Sequence, residues 1–500
     1  MSNPKKNFVY NLAYQLLILI CPLVTTPYLS RVIGSDGVGT YSYVYSIVYY
    51  FMLFTLLGVN NYGNRAIAKV RDNKFELSKR FWEIYFMQLF MGLIMLLLYY
   101  IYVFCFNIKY FSTSLFAGLF IVSAIFDINW LYFGLEEFKK TVVRNAIVKV
   151  LSVILIFIFI KNNNDICKYM VIMSVSTLLS QIIMWFFLKE NINFEKIKFE
   201  DVVKHIKPNL ILFIPVIAVS LYKMMDKVML GALTNVNEVG FYENAEKIVN
   251  IPMIFITALG TVMLPRISNI AEKGDIENVK KYIDKSITFA SFISMVMCCG
   301  LICISDIFAP WFFGNEFEKT GLLIILLSIT LPFLSFANVI RTQYLIPLEK
   351  DKVFVKSVVV GAIINFLFNL ILIKKFESIG ACIGTIAAEI SVMFYQSVAI
   401  RKELPILDYL KKSSPFLIKA VIMLFVIYPI KYLNMNSVVT IFIQVIMGGL
   451  IYLILNMKYI FENVNIKMLI SKISIRKNSI IFHDIDNNGE SDVYITHNKN

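Results

Sequence analysis

The sequence predicts an all-α polytopic membrane protein with about fourteen transmembrane helices. Hydrophobic residues make up 58% of the 500 positions and charged residues only 16%, which is too little polar surface for a soluble protein of this length. The apolar residues also form repeated runs of about 20 positions, the length that crosses a hydrocarbon core of roughly 30 Å.

Fourteen apolar runs follow one another with short connections, so no soluble domain is inserted between them. Their approximate bounds are 8–30, 38–60, 82–106, 111–133, 142–160, 166–188, 208–231, 239–260, 286–310, 321–341, 353–373, 379–400, 414–433 and 437–456. With the N-terminus inside, the predicted inner segments carry 29 lysines and arginines and the outer segments carry 8. Because cytoplasmic loops retain cations, both termini are predicted to be cytoplasmic. This topology accounts for the net charge of +14 without a nucleic-acid partner.

Two halves of the chain share short motifs at a constant offset. The sequence VGTY at 38–41 recurs as VGFY at 239–242, and Arg65 has a counterpart in Arg266, both at an offset of 201. Six spans separate the copies, so both halves enter the membrane in the same direction, as in parallel repeats. The predicted organisation is a six-helix lobe over 1–200, a second over 201–405, two additional helices over 406–456 and a polar cytoplasmic tail over 457–500.

A glycine-rich stretch, RVIGSDGVGTYS, lies between the first two spans. It resembles a phosphate-binding loop, but no strand precedes it and no Walker lysine follows. We therefore predict a tight turn in which Gly34 and Gly37 take positive φ and Gly39 allows close helix packing.

Ionisable residues lie within several predicted spans. An ionisable group at membrane depth usually faces a water-filled cavity or a partner, although snorkelling and internal ion pairs are alternatives. In the seventh span, Lys223 and Lys227 share one helix face, and Asp226 is three positions from Lys223. Two cations and one anion predict a cationic cavity suited to an anionic cargo. Further candidates for substrate binding are Arg31, Arg341 and Lys356, and candidates for a coupling proton or sodium ion are Asp127, Asp226 and Glu389.

Tyrosines follow a helical stripe in the second span. Tyr41, Tyr45 and Tyr49 are spaced i, i+4 and i+8. Facing a cleft, these rings would stack on sugars and offer hydroxyl groups. The alternative is an aromatic belt at the membrane interface.

Other polar positions give weaker indications. The cysteines lack metal-ligand spacing, so no cofactor is expected. His205 is expected to be a solvated loop residue. The tail sequence DIDNNGESD spaces oxygen ligands as a calcium loop does, but position twelve is Ile495 instead of glutamate, and a flexible acidic tail is the alternative. The ligands of that loop would be Asp484, Asp486, Asn488 and Asp492.

Two blocks resemble a known family. TTPYLSRVIGSDGVGTYSYVYSIVYYF, followed by LGVNNYGNRAIAKVRDN, resembles the N-terminal signature of Wzx-type polysaccharide-export flippases of the multidrug/oligosaccharidyl-lipid/polysaccharide superfamily. MMDKVMLGALTNVNEVGFYENAEKIVNIP, followed by LPRIS, resembles their second-half signature. The resemblance implies a MATE-like two-lobed fold in the bacterial cytoplasmic membrane. It also implies alternating-access flipping of an undecaprenyl-diphosphate-linked oligosaccharide to the outer leaflet, for capsule, O-antigen or other surface polysaccharide.

Two other function classes are weighed against this one. A small-molecule or drug antiporter of the same fold would need a cavity rich in carboxylates. A membrane polysaccharide polymerase or glycosyltransferase would need a sizeable outer loop or a catalytic domain, and the sequence offers no nucleophile–base pair. We therefore expect a transporter and not an enzyme. Its expected partners are the lipid-linked substrate, the bilayer, and the polymerase and glycosyltransferases of the same pathway.

Overall fold

A computed structural model describes residues 4–106, 109–433 and 435–463, and in these ranges the chain forms helices and no strand. The first nine helices are α1 (Pro4–Leu56), α2 (Val59–Ala68), α3 (Lys74–Phe106), α4 (Phe111–Ile125), α5 (Asn129–Gly134), α6 (Phe138–Phe159), α7 (Ile166–Phe186), α8 (Leu188–Asn191) and α9 (Phe199–Val203). The next nine are α10 (Ile206–Leu233), α11 (Val236–Glu272), α12 (Ile276–Phe313), α13 (Glu318–Ser328), α14 (Thr330–Ile340), α15 (Asp351–Ile400), α16 (Ile406–Ile427), α17 (Ser437–Leu455) and α18 (Met457–Asn463). The predicted all-α class is confirmed.

Ten helices in the described ranges are long and apolar enough to cross a membrane. An eleventh is added if the pair Asn315–Ser328 and Thr330–Leu345, bent by 42°, forms one span. The polytopic class is therefore confirmed, and the count of fourteen spans stays a prediction.

Two helices are much longer than a bilayer is thick. Helix α1 has 53 residues and α15 has 50, so either would exceed about 70 Å if it were straight. Each contains one residue with non-helical backbone angles, Gly34 with φ 66° in α1 and Glu377 with φ 52° in α15. These kinks fall between the predicted spans one and two and between spans eleven and twelve.

The turn predicted around the first glycines is therefore only partly as expected. Gly34 takes positive φ, as predicted. Gly37 does not, because it has already entered the helical part that follows the kink. A single residue of positive φ is enough to redirect the chain here, so the second glycine is not needed for that purpose.

The two copies of the repeated motif pack directly against each other. A Cβ atom built on Gly39 of α1 would lie 1.7 Å from the carbonyl oxygen of Val236, and one built on Gly240 of α11 would lie 2.4 Å from the carbonyl oxygen of Ser35. Gly39 and Gly240 are separated by 201 positions, and so are Ser35 and Val236. The two contacts are thus equivalent under exchange of the halves, as a twofold pseudosymmetric repeat requires. Gly39 allows the close packing predicted for it.

The described chain divides into two compact units, residues 4–448 and residues 449–463. The second holds the last part of α17 and all of α18. The lobe boundaries at residues 200, 405 and 456 stay predictions. The calcium-loop candidates of the tail lie outside the described residues.

Candidate functional site

Asp226 of α10 is a buried carboxylate bound by side chains from two other helices. Tyr242 of α11 donates its hydroxyl hydrogen to Oδ2 at 2.6 Å. Asn369 of α15 donates from Nδ2 to Oδ1 at 2.5 Å, and the Thr385 hydroxyl lies 2.8 Å from Oδ2. The side chain of Asp226 is only 3% exposed. None of these three donors is a cation, so this set of contacts leaves the carboxylate without a counter-ion.

The polar groups around Asp226 are not all satisfied. The Oδ1 atom of Asn369 is buried without a hydrogen-bond partner among the described residues, and so is the Nδ2 atom of Asn365, one turn earlier. Gly384 provides the space for Asn369, because a Cβ atom at this position would lie 2.3 Å from Oδ1. An unpartnered amide oxygen on a side chain that also binds a carboxylate is a type of ligand that a hard cation uses.

Lys227, the next residue on α10, lies between two carboxylates of α11. Its Nζ atom is 2.8 Å from Oε2 of Glu243 and 2.9 Å from Oε2 of Glu246. Lys247 lies 3.2 Å from the other oxygen of Glu243, and Ser42 of α1 donates its hydroxyl hydrogen to Glu243 at 2.8 Å. The ammonium group is thus buried but fully matched by charge, the arrangement that buried ionised groups need.

The two glutamates of α11 were missed in the sequence. The charged residues of the seventh span alone sum to a positive charge, whereas the partners of Lys227 come from the next helix. Glu243 and Glu246 lie in the repeated block as ENAEK, three positions apart and hence on one helix face. That spacing within an otherwise apolar span was the available indication. Around Lys227 the described residues carry three carboxylates and two amines, so a cationic cavity stays a prediction that this cluster does not support.

A cavity of about 370 Å³ adjoins the cluster. Its walls come from α10, α11, α13, α14 and α15, and it brings together three of the predicted site residues, Asp226, Arg341 and Glu389. Glu246 also lines it, so its described wall carries three carboxylates and one guanidinium group. The other polar side chains of the lining are Tyr242, Asn250, Asn338, Gln396, Thr257, Thr330 and Thr385, and the rest of the lining is apolar. A polar cavity of this size accommodates water and small cations.

The tyrosine stripe forms a continuous row of rings. The ring centroids of Tyr41 and Tyr45 are 5.8 Å apart and nearly parallel, and those of Tyr45 and Tyr49 are 6.2 Å apart. The row also packs sideways, on Tyr169 of α7 at 4.5 Å and on Phe120 of α4 at 5.2 Å. Half-buried rings of this kind have already used part of their surface for packing, and their use as a sugar platform stays a prediction.

The remaining candidates lie apart from the cavity. Arg31 is exposed and donates to the carbonyl oxygen of Trp311 at 2.5 Å. Asp127 accepts a hydrogen bond from the backbone of Asn129 at 3.0 Å, at the start of α5, and Lys356 is exposed on α15. None of these three lines the cavity. The side chain of Lys223 lies outside the described residues.

Comparison with known proteins gives two family matches. The profile of the family described as Polysaccharide biosynthesis protein matches residues 5–271, and the MatE profile matches residues 212–371. Proteins named "Putative O-antigen transporter" are similar to this chain in Shigella dysenteriae and in Escherichia coli strain K12. The first is 22% identical over 76% of this chain and 96% of its own length, and the second is 24% identical over 79% and 96%.

The fold is also similar to that of a solved structure, the lipid II flippase MurJ in an inward closed conformation. The TM-score is 0.74 at 18% identity, over 92% of this chain and 99% of the other. Both comparisons extend over nearly the full length of the similar proteins.

Proposed function

Because this chain belongs to the polysaccharide biosynthesis protein family, we propose that it flips an undecaprenyl-diphosphate-linked oligosaccharide from the inner to the outer leaflet of the bacterial cytoplasmic membrane. The resemblance to Wzx-type flippases is confirmed, as is the expectation of a membrane transporter and not an enzyme. The names of the two O-antigen transporters support a carbohydrate cargo destined for the cell surface. The partners proposed for it are the polymerase and glycosyltransferases that make and use that cargo.

The proposed mechanism is alternating access between two lobes. The equivalent contacts of Gly39 and Gly240 support it, because a pseudosymmetric interface can rearrange by small rigid-body rotations of the two halves. Because the membrane potential is negative inside, it favours outward movement of an anionic diphosphate. That potential favours the movement by about 2.3 kcal/mol per charge per 100 mV.

The main support for ion-coupled binding of the diphosphate is the contact of Lys227 with Glu243 and Glu246. While both carboxylates are ionised, the ammonium group is occupied and a diphosphate gains little from it. A proton on Glu246, or a cation held at Asp226 close by, reduces the negative charge around Lys227 and frees it for an anionic substrate. Glu246 binds Lys227 and lines the same cavity as Asp226, so cation loading and diphosphate binding are coupled through this carboxylate.

A sodium ion or a proton is the proposed coupling ion. Asp226, the Thr385 hydroxyl that binds it and the unpartnered Oδ1 atom of Asn369 support sodium, since all three supply oxygen atoms. Glu389, which lines the same cavity, supports a proton. In the described residues no group of three or more His, Cys, Asp and Glu side chains is arranged to hold a metal ion, so the site would rest on amide and hydroxyl oxygens as well as on Asp226.

The direct test is complementation of a flippase-null strain, together with a flipping assay in proteoliposomes that contain a lipid-linked oligosaccharide. We expect Lys223→Ala, Asp226→Ala and Lys227→Ala each to abolish both activities. The amount of folded, inserted protein is measured for each variant, because Lys227→Ala also leaves Glu243 and Glu246 without their counter-ion. The matched control is Lys352→Ala, on an exposed lysine of α15 outside the cavity. Full activity of all three variants would exclude the α10 residues from the transport site.

A second candidate function is antiport of small cationic molecules. The specific observation in its favour is the acidic majority in the cavity wall, together with the MatE match over residues 212–371. The two functions differ in phenotype. An antiporter would confer drug resistance on overexpression and leave surface polysaccharide intact on deletion. A flippase would confer no drug resistance on overexpression, and its deletion would remove surface polysaccharide.

A further inference from the structure

An apolar groove lies on the side of the molecule where α15 ends and α16 begins. Its volume is about 660 Å³, and apart from three polar or charged residues its lining is apolar. Phe394 and Leu407, two of the lining residues, are 67% and 74% exposed. In a membrane, such a surface faces the acyl chains of lipids. The polar and charged residues of the lining are Ser397, Arg401 and Asp408.

A charged pocket of about 410 Å³ continues from this groove, since both share Pro405 and Asp408. Four lysines line the pocket, two from α12 and two from α16, together with three carboxylates. The lysines are Lys280, Lys281, Lys411 and Lys412, and the acids are Glu277, Asp284 and Asp408. With Arg401 the two linings carry five cations and three anions, a local excess of positive charge.

The excess is concentrated on three side chains. Lys281 is bound to Glu277 at 2.9 Å and Lys412 to Asp284 at 2.8 Å, so these pairs neutralise each other. Lys280, Lys411 and Arg401 form no salt bridge within the part of the chain that the structure describes. Three cations are therefore available at the boundary between a charged pocket and an apolar groove.

Ser397 gives an independent indication of a ligand. Its side chain is 8% exposed, and its hydroxyl group has no hydrogen-bond partner in the described structure although it lines the apolar groove. A buried hydroxyl group without a partner is unfavourable, so a ligand that accepts its hydrogen is favoured there. An ester carbonyl oxygen of a lipid in the groove would accept its hydrogen.

We propose that this composite site binds an anionic phospholipid of the inner leaflet, with one acyl chain in the apolar groove and the phosphodiester among Arg401, Lys411 and Lys280. The predicted topology places the end of α15 and the start of α16 at the cytoplasmic surface, where anionic lipids meet basic pockets between helices. An amphiphile fits both halves of the site, whereas a soluble anion would leave the exposed apolar groove empty. This proposal does not depend on the transport activity.

The experiment uses the purified full chain in an uncharged detergent, titrated with phosphatidylglycerol or with phosphatidylcholine. Binding is measured by native mass spectrometry and by the shift of the thermal unfolding midpoint. We expect phosphatidylglycerol to bind and stabilise the protein and phosphatidylcholine to have little effect. Each cation removed should weaken phosphatidylglycerol binding about fivefold, so Arg401→Gln with Lys411→Gln should weaken it about 25-fold.

The matched control is Lys402→Gln. Lys402 is exposed next to Arg401 but lines neither the groove nor the pocket, so this variant should bind as the wild type does. Ser397→Leu, which fills the groove, should weaken binding with the cations intact. Because Arg401 and Lys411 are exposed, their variants still test the site if Ser397→Leu fails to fold.

Three results would overturn the proposal. Equal binding of both phospholipids would remove the role of charge. If Lys402→Gln weakened phosphatidylglycerol binding as much as Arg401→Gln with Lys411→Gln does, the lipid would be held by general electrostatic attraction and not by a site. Displacement of phosphatidylglycerol by low concentrations of undecaprenyl phosphate would assign the groove to the carrier lipid instead.

Discussion

Ser42 donates a hydrogen bond to Glu243 at 2.8 Å, and these residues are separated by 201 positions, the offset of the internal repeat. The contact therefore joins equivalent positions of the two halves, one turn from the close approach of Gly39 and Gly240. Since Glu243 also binds Lys227, the charged cluster of α10 and α11 is connected to the first helix. Movement of α1 against α11 must change the surroundings of Lys227.

The first prediction concerns the close approach of these helices. Gly39→Ala should destabilise the protein by about 3 kcal/mol or more, because its Cβ atom would meet a backbone carbonyl that no side-chain rotation can move. Thermal unfolding in detergent measures the loss. The control is Gly300→Ala in α12, where a Cβ atom would have nothing within 4 Å and a small stabilisation is expected. Equal thermal unfolding midpoints for Gly39→Ala and Gly300→Ala would contradict the close contact of Gly39 with the backbone of Val236.

A second prediction concerns the balance of charge at Lys227. Lys227→Met should destabilise the protein by about 3–5 kcal/mol, because Glu243 and Glu246 would be left buried without a counter-ion. Adding Glu246→Gln should recover part of that loss. The double-mutant cycle, measured by chemical unfolding of the purified variants, gives the coupling between the two residues. Strictly additive losses would show that the two side chains do not interact.

The third prediction separates cation coupling from substrate binding. Asp226→Asn keeps the size of the side chain but removes its charge, so any stabilisation of the protein by sodium or by protons at this site should disappear. The measurement is the shift of the unfolding midpoint with sodium chloride against choline chloride. Asp72→Asn serves as the control, because Asp72 is exposed between α2 and α3 and does not line the cavity. An unchanged sodium response in Asp226→Asn would place the coupling ion elsewhere.

Features that depend on neighbouring residues in sequence were predictable, with Gly37 as an exception, and features that depend on another helix were not. The positive φ of Gly34 and the ring row of Tyr41, Tyr45 and Tyr49 follow from local spacing, and the structure shows both. The partners of Lys227 come from α11, and a residue's partner on another helix is not encoded in its own periodicity. Counting charge one span at a time therefore gave span seven a positive sign that its surroundings do not share.

His205 is a second residue whose surroundings come from other helices and could not be predicted from its own sequence neighbours. It was expected to be solvated, and this expectation is wrong, since the side chain is 1% exposed. Its Nε2 atom lies 2.8 Å from Glu83 of α3, and its Nδ1 atom lies 2.6 Å from the hydroxyl of Tyr62 of α2. The segment that precedes α10 folds back on α3, where Asn193 binds both Ser78 and Trp82. Burial of His205 follows from this docking, which no sequence pattern around it indicates.

The last prediction follows from that burial. A neutral imidazole with its hydrogen on Nε2 satisfies both contacts, by donating to Glu83 and accepting from Tyr62. Burial lowers the pKa of His205 below its usual 6.5, against the opposing effect of the Glu83 carboxylate and with smaller contributions from Arg80 and Lys204. The unfolded chain therefore binds the proton more readily, so this contribution to stability is complete above about pH 6.5 and declines as the pH falls below it. The unfolding midpoint of the full chain should fall between pH 7.5 and pH 5.5, and His205→Gln should show a smaller fall over the same range. Parallel pH profiles for the two proteins would show that His205 does not titrate differently on folding.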